Sequence, residues 1–301
     1  MDAKETIAVI GAGLMGHGIA YLFAAAGHTV RIYDPALSAL ASLPDRLDVI
    51  ADLLGHEADV PARVSGHETL AAAVDAAAYV FEAAPEVLEL KRSIFAELER
   101  HAPRSAILAS NTSAIPIGRI AAGASAPSRI VGTHFWNPPH LVPLVEVVQT
   151  DNDNLPAVEK TIALLQAAGR HPVHVKKDIP GFIGNRLQHA LKREAIALVA
   201  AAACDAETID DVVKHGFGQR LAVLGPMEQS DLVGLDLTKN IHDTLMPDLD
   251  RTDHTHPLLE RLVAEGHLGM KSGKGLREWT PEQAEAVRRR LRDFLCKQSP
   301  P

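Results

Sequence analysis

Residues 6–34 read TIAVIGAGLMGHGIAYLFAAAGHTVRIYD, and this stretch decides the fold of the chain. Thr6–Ile10 is short, apolar and rich in β-branched side chains, which predicts a fully buried strand. A glycine-rich loop, GAGLMG, follows it, and then come a helical pattern to Ala26 and a second predicted strand, Thr29–Tyr33. Asp34 ends that strand. This order of strand, glycine loop, helix, strand and acid is typical of a unit that binds a dinucleotide.

The glycines of the loop each have a physical task in such a unit. Gly11 permits a tight turn, Gly13 lets the backbone approach a pyrophosphate, and Gly16 allows close packing of helix against strand. The free N–H groups at the start of the helix face the phosphates. Asp34 would bind the ribose hydroxyls and repel a 2′-phosphate, so NAD is favoured over NADP. We therefore predict that NAD binds to Gly11, Gly13, Leu14, Met15, Gly16 and Asp34.

Predicted strands and helices alternate through the first 179 residues. The further strands are Ala62–Ser65, Tyr79–Ala83, Ser105–Ser110, Arg129–Phe135, Leu144–Val148 and His171–Val175, and the helices are Pro35–Leu54, Thr69–Ala78, Pro85–Glu99 and Asn154–Ala168. Alternation of this kind predicts an α/β fold, a Rossmann-type, doubly wound parallel sheet. The last strands are open to mixed directions.

The pattern changes after Pro180-Gly181. Phe182–Ala203 is one long helical run, and no convincing strand follows it. We predict two domains: residues 1–179 form the dinucleotide-binding domain, and residues 180–301 form an all-helical domain. The long apolar first helix of the second domain suits either a core or a subunit interface.

Composition excludes several classes of partner. The 301 residues carry a formal charge of -8, which argues against nucleic acid or an anionic membrane as the main partner. Ile7–Gly27 lacks charged side chains, but its glycines and His17 make it a poor membrane helix. Cys204 and Cys296 form no metal or redox motif, so we expect a reducing cytoplasm and no metal site.

Polar side chains follow several of the predicted strands. They are Asp34, Glu86, Asn111, Ser113 and His134, and ligands of open α/β sheets bind at this edge. Glu146 lies inside the apolar run 141–148, where a lone buried carboxylate would be costly, so we expect His134 as its partner. Taken singly, Ser113 could be a helix cap, His134 a hydrogen-bonded core histidine and Glu146 an exposed strand position. Together beside a nicotinamide they predict proton-transfer catalysis.

Longer motifs resemble one known family, the L-3-hydroxyacyl-CoA dehydrogenases, over nearly the whole chain. The motifs are GAGLMG, FEAAPEVLELK (81–91), SNTS (110–113), GTHFWNPP (132–139), VEVV (145–148), PGFIGNRL (180–187), GPMEQSDLVGLD (225–236) and KSGKG (271–275). The resemblance implies oxidation of the hydroxyl of a 3-hydroxyacyl substrate, as a CoA ester or an acid, by hydride transfer to NAD. It also implies a homodimer through the helical domain.

The same resemblance implies roles for individual residues. His134 would be the catalytic base with Glu146 as its partner, and Ser113 and Asn185 would hold the substrate oxygen. Contacts with the cofactor are implied for the polar residues Glu86, Lys91, Asn111, Ser113, Asn137 and Lys271.

Two departures concern the substrate. No lysine occurs between Glu5 and Leu90, where acyl-CoA members usually offer lysines to the CoA phosphates. The stretch 217–226 and His140 resemble instead the branch of λ-crystallin/L-gulonate, pyridine-carboxylate and carnitine dehydrogenases, which act on small free acids or betaines. Our alternative hypothesis is that Arg220 binds a substrate carboxylate through both guanidinium nitrogens; a plain surface arginine is the competing interpretation. A non-catalytic, crystallin-like structural protein is the remaining alternative.

Overall fold

A computed structural model describes residues 4–56, 59–151 and 153–298 of the chain. Its residue contacts divide the protein into two compact units. Unit 1 comprises residues 1–185 together with 292–301, and unit 2 comprises residues 186–291. The predicted boundary at residue 179 lies shortly before the helix Gly184–Ala200, and the boundary from residue contacts lies in the first turn of that helix. The predicted domain boundary stays a prediction.

Unit 1 is built on one eight-stranded sheet with the strand order β3-β2-β1-β4-β5-β6-β7-β8. All neighbouring strands are parallel except β6 and β7, which are antiparallel. The predicted doubly wound α/β fold is confirmed. The strands are β1 (Thr6–Ile10), β2 (Thr29–Tyr33), β3 (Val64–His67), β4 (Tyr79–Glu82), β5 (Ile107–Ser110), β6 (Ile130–Phe135), β7 (Leu144–Val148) and β8 (His171–Val175).

Helices cover both faces of this sheet. Those of unit 1 are α1 (Leu14–Ala25), α2 (Leu37–Ala41), α3 (Leu43–Leu54), α4 (Leu70–Val74), α5 (Leu88–His101), α6 (Ile117–Ile120) and α7 (Leu155–Ala167). Successive residues of β1 pack into opposite cores, because Ile7 and Val9 belong to one apolar cluster and Ala8 and Ile10 to the other. Burial on both faces explains the continuous apolar run of this strand.

Three predicted elements differ from the structure. The expected helix Pro35–Leu54 is two helices that meet at Ser42, where α3 restarts with Pro44 in its first turn. Proline is favoured there because it lacks the N–H that a first turn leaves unpaired. A 3-10 turn at Pro61–Arg63 delays β3 to Val64–His67, and the helix expected over Thr69–Ala78 is the single short α4.

Unit 2 contains helices and no strand among its described residues. Helix α8 (Gly184–Ala200) begins in unit 1 and ends in unit 2, and α14 (Pro281–Gln298) begins in unit 2 and ends in unit 1. The helices between them are α9 (Ala206–His215), α10 (Gly218–Leu221), α11 (Pro226–Val233), α12 (Leu235–Leu245) and α13 (Pro257–Ala264). Across residues 186–291, Ala284 is the one buried residue. In the part of the chain that the structure describes, no helix is long and apolar enough to cross a membrane.

Candidate active site

The glycine-rich loop joins β1 to α1 in the geometry that the sequence predicts. Gly11 has a φ of 102°, and its N–H donates to the carbonyl of Tyr33 at 2.7 Å. A Cβ at Gly16 would overlap the carbonyl oxygen of Gly11, so helix and loop can approach only with glycine at that position. A Cβ at Gly13 would meet no atom within 4 Å, because this face of the loop is open. A phosphate therefore has room to reach the start of α1.

Asp34 and Arg46 fix the peptide of Ala12 within this loop. Asp34 accepts the N–H of Ala12 on Oδ2 at 2.7 Å and the N–H of Ala36 on Oδ1 at 2.8 Å. Arg46 donates to the carbonyl of Ala12 at 2.5 Å and to that of Ala39 at 2.6 Å. The sequence interpretation missed Arg46, because it lies twelve residues beyond Asp34 and no motif marks it.

A cavity of about 850 Å³ opens beside the loop. Its lining is mostly apolar and joins the glycine loop to β2, α4 and α5 (Gly11, Gly13, Leu14, Met15, Tyr33, Asp34, Leu70, Ala83, Ser93 and others). A mainly apolar cavity that includes Asp34 has the character of a small-molecule site. His134 and Glu146 do not line it.

His134 and Glu146 face each other across the antiparallel pair β6 and β7. They are directly opposite in the register, and Nδ1 of His134 lies 2.8 Å from Oε2 of Glu146. Both residues are buried, with 5% and 1% of their surfaces exposed. The predicted partner of the buried carboxylate is thus confirmed as a contact. With Nδ1–H donating to Glu146, the other ring nitrogen, Nε2, is left as the basic one.

Glu146 is held by the backbone as well as by His134. Its Oε1 accepts the N–H of Ile183 at 2.8 Å and the N–H of Gly184 at 3.0 Å. Burial opposes ionisation, but the bonds from His134, Gly184 and Ile183 outweigh it and hold the pKa of Glu146 below its ordinary value. A carboxylate fixed at three points can orient an imidazole precisely and stabilise its protonated form.

Aromatic rings enclose the imidazole of His134. The ring of Trp136 lies 5.3 Å from it between centroids, and that of Phe182 lies 5.8 Å away. A Cβ at Gly184 would overlap the indole of Trp136, so the first turn of α8 can approach Glu146 only with glycine there. These ring contacts restrict the orientation of the imidazole.

Ser113 and Asn185 lie together. The amide Nδ2 of Asn185 donates to the backbone carbonyl of Ser113 at 2.9 Å. The N–H of Ser113 donates to Oε1 of Glu86 at 3.0 Å, and the Ser113 residue is exposed. The hydroxyl of Ser113 is therefore carried on a loop whose backbone is fixed on both sides. Their expected roles toward a substrate oxygen stay predictions.

The other predicted cofactor contacts differ in their surroundings. Asn111 accepts the N–H of Phe135 on Oδ1 at 2.9 Å and so joins the ends of β5 and β6. Asn137 is exposed in the loop that follows β6. Lys91 is only 1% exposed, and its ammonium donates to Oε1 of Glu82 at 2.7 Å. Because Lys91 is almost fully buried, little of its side chain is accessible to a bound molecule. Its predicted contact with the cofactor is untested.

Two residues that were predicted to bind ligands belong to unit 2. Arg220 is exposed on the short helix α10, and Lys271 is exposed in the turns between α13 and α14. No carboxylate among the described residues pairs with the guanidinium of Arg220. Their expected roles also remain predictions. Within residues 4–56, 59–151 and 153–298, no group of three or more His, Cys, Asp or Glu side chains could hold a metal.

Sequence interpretation overlooked Glu82, a fully buried carboxylate at the end of β4. It accepts hydrogen bonds from the Lys91 ammonium, from the N–H of Ala84 at 2.7 Å and from the hydroxyl of Ser110 at 2.6 Å. The argument that found a partner for Glu146 applies here too, because a glutamate in the apolar run YVFE also needs a partner when buried. That signal was present in the sequence.

The arrangement combines a nucleotide cavity with a base that can accept a proton. His134 is a histidine whose Nδ1 contacts Glu146, and such a pair can accept a proton. The amide of Asn185 contacts the backbone of Ser113. A site of this composition can oxidise an alcohol when a hydride acceptor is bound.

Comparison with protein-family models identifies both parts of the chain. Residues 6–179 match the 3-hydroxyacyl-CoA dehydrogenase, NAD binding domain, and residues 181–279 match the 3-hydroxyacyl-CoA dehydrogenase, C-terminal domain.

Two curated relatives show how far the similarity extends. A 5-formyl-3-hydroxy-2-methylpyridine 4-carboxylate 5-dehydrogenase of Mesorhizobium japonicum is 36% identical over 290 residues, covering 94% of this chain and 93% of the relative. The mitochondrial hydroxyacyl-coenzyme A dehydrogenase of Homo sapiens is 36% identical over 285 residues, covering 89% of each chain.

Solved structures agree with these relatives. A crystal structure of the pyridine-carboxylate dehydrogenase, described as an NAD+-dependent dismutase, has a TM-score of 0.91 at 35% identity and covers 98% of this chain and 97% of its own. The 3-hydroxybutyryl-CoA dehydrogenase of Escherichia coli K12 has a TM-score of 0.76 at 34% identity and covers 92% of this chain and 60% of its own. The chain belongs to the 3-hydroxyacyl-CoA dehydrogenase family of NAD-dependent oxidoreductases that act on CH–OH groups.

Proposed function

We propose that this protein oxidises the hydroxyl of a 3-hydroxyacyl or related hydroxy-acid substrate to a ketone, with His134 as the base. The observation that carries the proposal is the buried His134–Glu146 pair, with its 2.8 Å bond and the two backbone N–H groups that fix the carboxylate. A purely structural protein does not require a buried histidine whose Nε2 is free to accept a proton. NAD supplies the hydride acceptor when it is bound in the cavity beside Gly11–Gly16.

In this mechanism the residues of the chain handle the proton and the oxygen. His134 accepts the hydroxyl proton on Nε2, and Glu146 stabilises the imidazolium that forms. Ser113 and Asn185 donate hydrogen bonds to the substrate oxygen as it becomes a carbonyl. Asp34 binds the ribose hydroxyls of the cofactor, which selects NAD against a 2′-phosphate.

The direct test is formation of NADH from a panel of hydroxy substrates. We expect turnover by the wild-type protein and a loss of at least about a hundredfold in kcat for His134→Gln, because the base is removed. Glu159→Gln, which changes an exposed glutamate on α7, is the matched control and should leave kcat unchanged. A His134→Gln protein that turns over at the wild-type rate would exclude this role.

A second candidate substrate class is a small free carboxylate in place of a CoA ester. Three observations favour it: the backbone similarity to the pyridine-carboxylate dehydrogenase, the absence of lysine between Glu5 and Leu90, and the unpaired guanidinium of Arg220 among the described residues. In this version Arg220 binds the substrate carboxylate through two parallel hydrogen bonds.

Kinetics with matched substrates distinguish the two classes. We compare 3-hydroxybutyryl-CoA with free hydroxy acids, using wild-type protein, Arg220→Ala and the exposed control Arg104→Ala. Binding of a carboxylate by Arg220 predicts a rise of about tenfold or more in the KM of the free acid in Arg220→Ala alone, since a charge-assisted bond is lost. Turnover of the CoA ester that is undiminished in Arg220→Ala would favour the CoA version.

We also infer that two copies of the chain associate through unit 2. The support is its lack of a core: Ala284 is its one buried residue, while Val223, Met227 and Leu232 are 87%, 72% and 73% exposed. Helices with so much uncovered apolar surface need a partner, and a second copy offers the same apolar faces.

The mass in solution tests this dimer. Sedimentation analysis should give a dimer for the wild-type chain and a shift toward monomer for Leu232→Asp, since a charge at an apolar interface is costly. Val49→Asp on α3 of unit 1, where Val49 is 67% exposed, is the control and should remain a dimer. A monomeric wild-type protein at micromolar concentration would contradict the inference.

The compartment that suits the chain is the cytoplasm. Its two cysteines, Cys204 and Cys296, are both free thiols, as expected in a reducing environment. Fractionation of the source cells with an antibody against the protein would test this location.

A further inference from the structure

A chain of charged side chains, buried at one end, leads to the loop that carries Ser113. It begins at Glu82, which is fully buried at the end of β4 and accepts three hydrogen bonds at 2.6–2.7 Å. Two of the donors, Lys91 and Ser110, are themselves buried. Glu82 therefore joins β4 to helix α5 through Lys91 and to β5 through Ser110.

Lys91 continues the chain toward the surface. Its ammonium lies 2.7 Å from Oε1 of Glu82 and 3.5 Å from Oε2 of Glu86, and it donates to the carbonyl of Ala84 at 3.2 Å. The ammonium thus lies between two carboxylates and is nearer to the buried one. Because Glu82 compensates its charge, Lys91 does not draw Glu86 inward.

Glu86 completes the chain at the loop that carries Ser113. Its Oε1 accepts the Thr112 hydroxyl at 2.6 Å, the Ser113 N–H at 3.0 Å and the Ala114 N–H at 3.1 Å. Burial opposes ionisation of Glu86, but these donors and Lys91 prevail and hold its pKa below the ordinary value. One carboxylate thereby holds the backbone N–H groups of Ser113 and Ala114 and the hydroxyl of Thr112.

We propose that Glu82 is a positioning residue for the reaction: by holding Lys91, it keeps Glu86 on the loop amides and so fixes Ser113 beside the substrate oxygen. The inference rests on the proposed role of Ser113. Glu82 and Ser110 have no part in the proton transfer itself.

The primary test is Glu82→Gln, which keeps the shape of the side chain and removes its charge. Lys91 is then left with Glu86 as its carboxylate neighbour, and we expect Glu86 to move toward the ammonium and release the Ser113 amide. The predicted result is a tenfold or larger fall in kcat per folded molecule, measured at saturating NAD.

A second substitution distinguishes positioning from general structural damage. Glu82→Asp keeps the negative charge beside Lys91, so Glu86 stays on the loop, and kcat should remain within about threefold of wild type. A Glu82→Asp protein that is as impaired as Glu82→Gln at an unchanged melting temperature overturns the positioning account. A purely structural role would lower the melting temperature of both variants and leave kcat per folded molecule unchanged.

If Glu82→Gln does not fold, Ser110→Ala replaces it as the test. It removes only the 2.6 Å bond to Glu82, and a several-fold loss of kcat is expected, whereas the exposed neighbour Ser105→Ala should have no effect. Ser113→Ala is measured beside these variants. If Ser113→Ala has a lowered kcat while Glu82→Gln and Ser110→Ala have a normal one, this inference alone is wrong. If Ser113→Ala has a normal kcat, the proposed role of Ser113, on which the inference rests, is wrong.

Discussion

Replacing Glu146 with glutamine tests the proposed chemistry most directly, because it changes charge and tautomer and keeps the volume. The amide oxygen of glutamine can still accept the N–H groups of Ile183 and Gly184, which now bond Oε1 at 2.8 and 3.0 Å. The amide nitrogen then faces Nδ1 of His134, which is 2.8 Å from Oε2 in the wild type. An N–H donor at that place forces the proton of the imidazole onto Nε2, and the base is lost.

The lost charge adds to this effect. Two unit charges about 4 Å apart attract by roughly 4 kcal/mol at an effective dielectric constant of about 20, which is a factor of roughly a thousand in rate if realised only in the transition state. We therefore expect kcat for Glu146→Gln to fall by about 10²–10⁴, with the KM for NAD changed little.

The assay is NADH formation at saturating NAD as a function of pH, with the melting temperature as a check on folding. Glu159→Gln provides the control for a surface change of the same kind. A Glu146→Gln protein with an unchanged melting temperature and a kcat within about fivefold of wild type would refute the base–carboxylate mechanism.

Three further predictions use features around the site. Gly184→Ala should lower stability by about 1–3 kcal/mol and lower kcat as well, because its Cβ overlaps Trp136; melting curves and kinetics would show this, and Gly66→Ala, whose Cβ meets only ordinary contacts, should be nearly silent. Burial, with His17 and Arg170 nearby, lowers the pKa of His140 from 6.5 to about 4, so stability that is complete above pH 6.5 should decline as the pH falls toward 4. The loss should be no more than about 2 kcal/mol for this partly exposed side chain, and a His140→Asn protein whose melting temperature falls just as steeply would contradict it. Arg46→Met should weaken binding of ADP-ribose by about tenfold and leave that of adenosine unchanged, because the lost guanidinium holds the phosphate-binding loop; equal losses in calorimetry would refute this.

Local patterns were sufficient to predict the sheet of unit 1. The strands β1, β2, β7 and β8 lie at the predicted residues. For β1 and β7 the reason is burial on both faces, which requires a nearly continuous apolar run with clear ends. The short elements between β2 and β4 were less predictable. In that region Pro44 lies at the start of α3 and Pro61 at the start of the 3-10 turn before β3. Residues 69–78 have a helical composition, but such a segment forms helix only where the rest of the protein packs against it.

The site was predictable where a charged residue in an apolar run requires a partner in the folded protein. Glu146 in an apolar run required a partner, and the pairing with His134 followed from two strands close in sequence. The backbone donors at Ile183 and Gly184 were not predictable, since they come from a distant helix start and carry no side-chain signal. Arg46 was missed for a similar reason, because its acceptors are backbone carbonyls, which every residue possesses.

The two buried glutamates of this sheet show how the choice of partner decides what a buried carboxylate does. Glu82 and Glu146 are equally hidden, and each accepts three hydrogen bonds. Glu82 is paired with a lysine, whose ammonium donates to its Oε1 at 2.7 Å inside the protein, so that pair holds structure. Glu146 is paired with a histidine, the side chain that serves most often as a general base. The same electrostatic cost of burial is thus offset once by a fixed charge and once by a transient one, and only the second arrangement can move a proton.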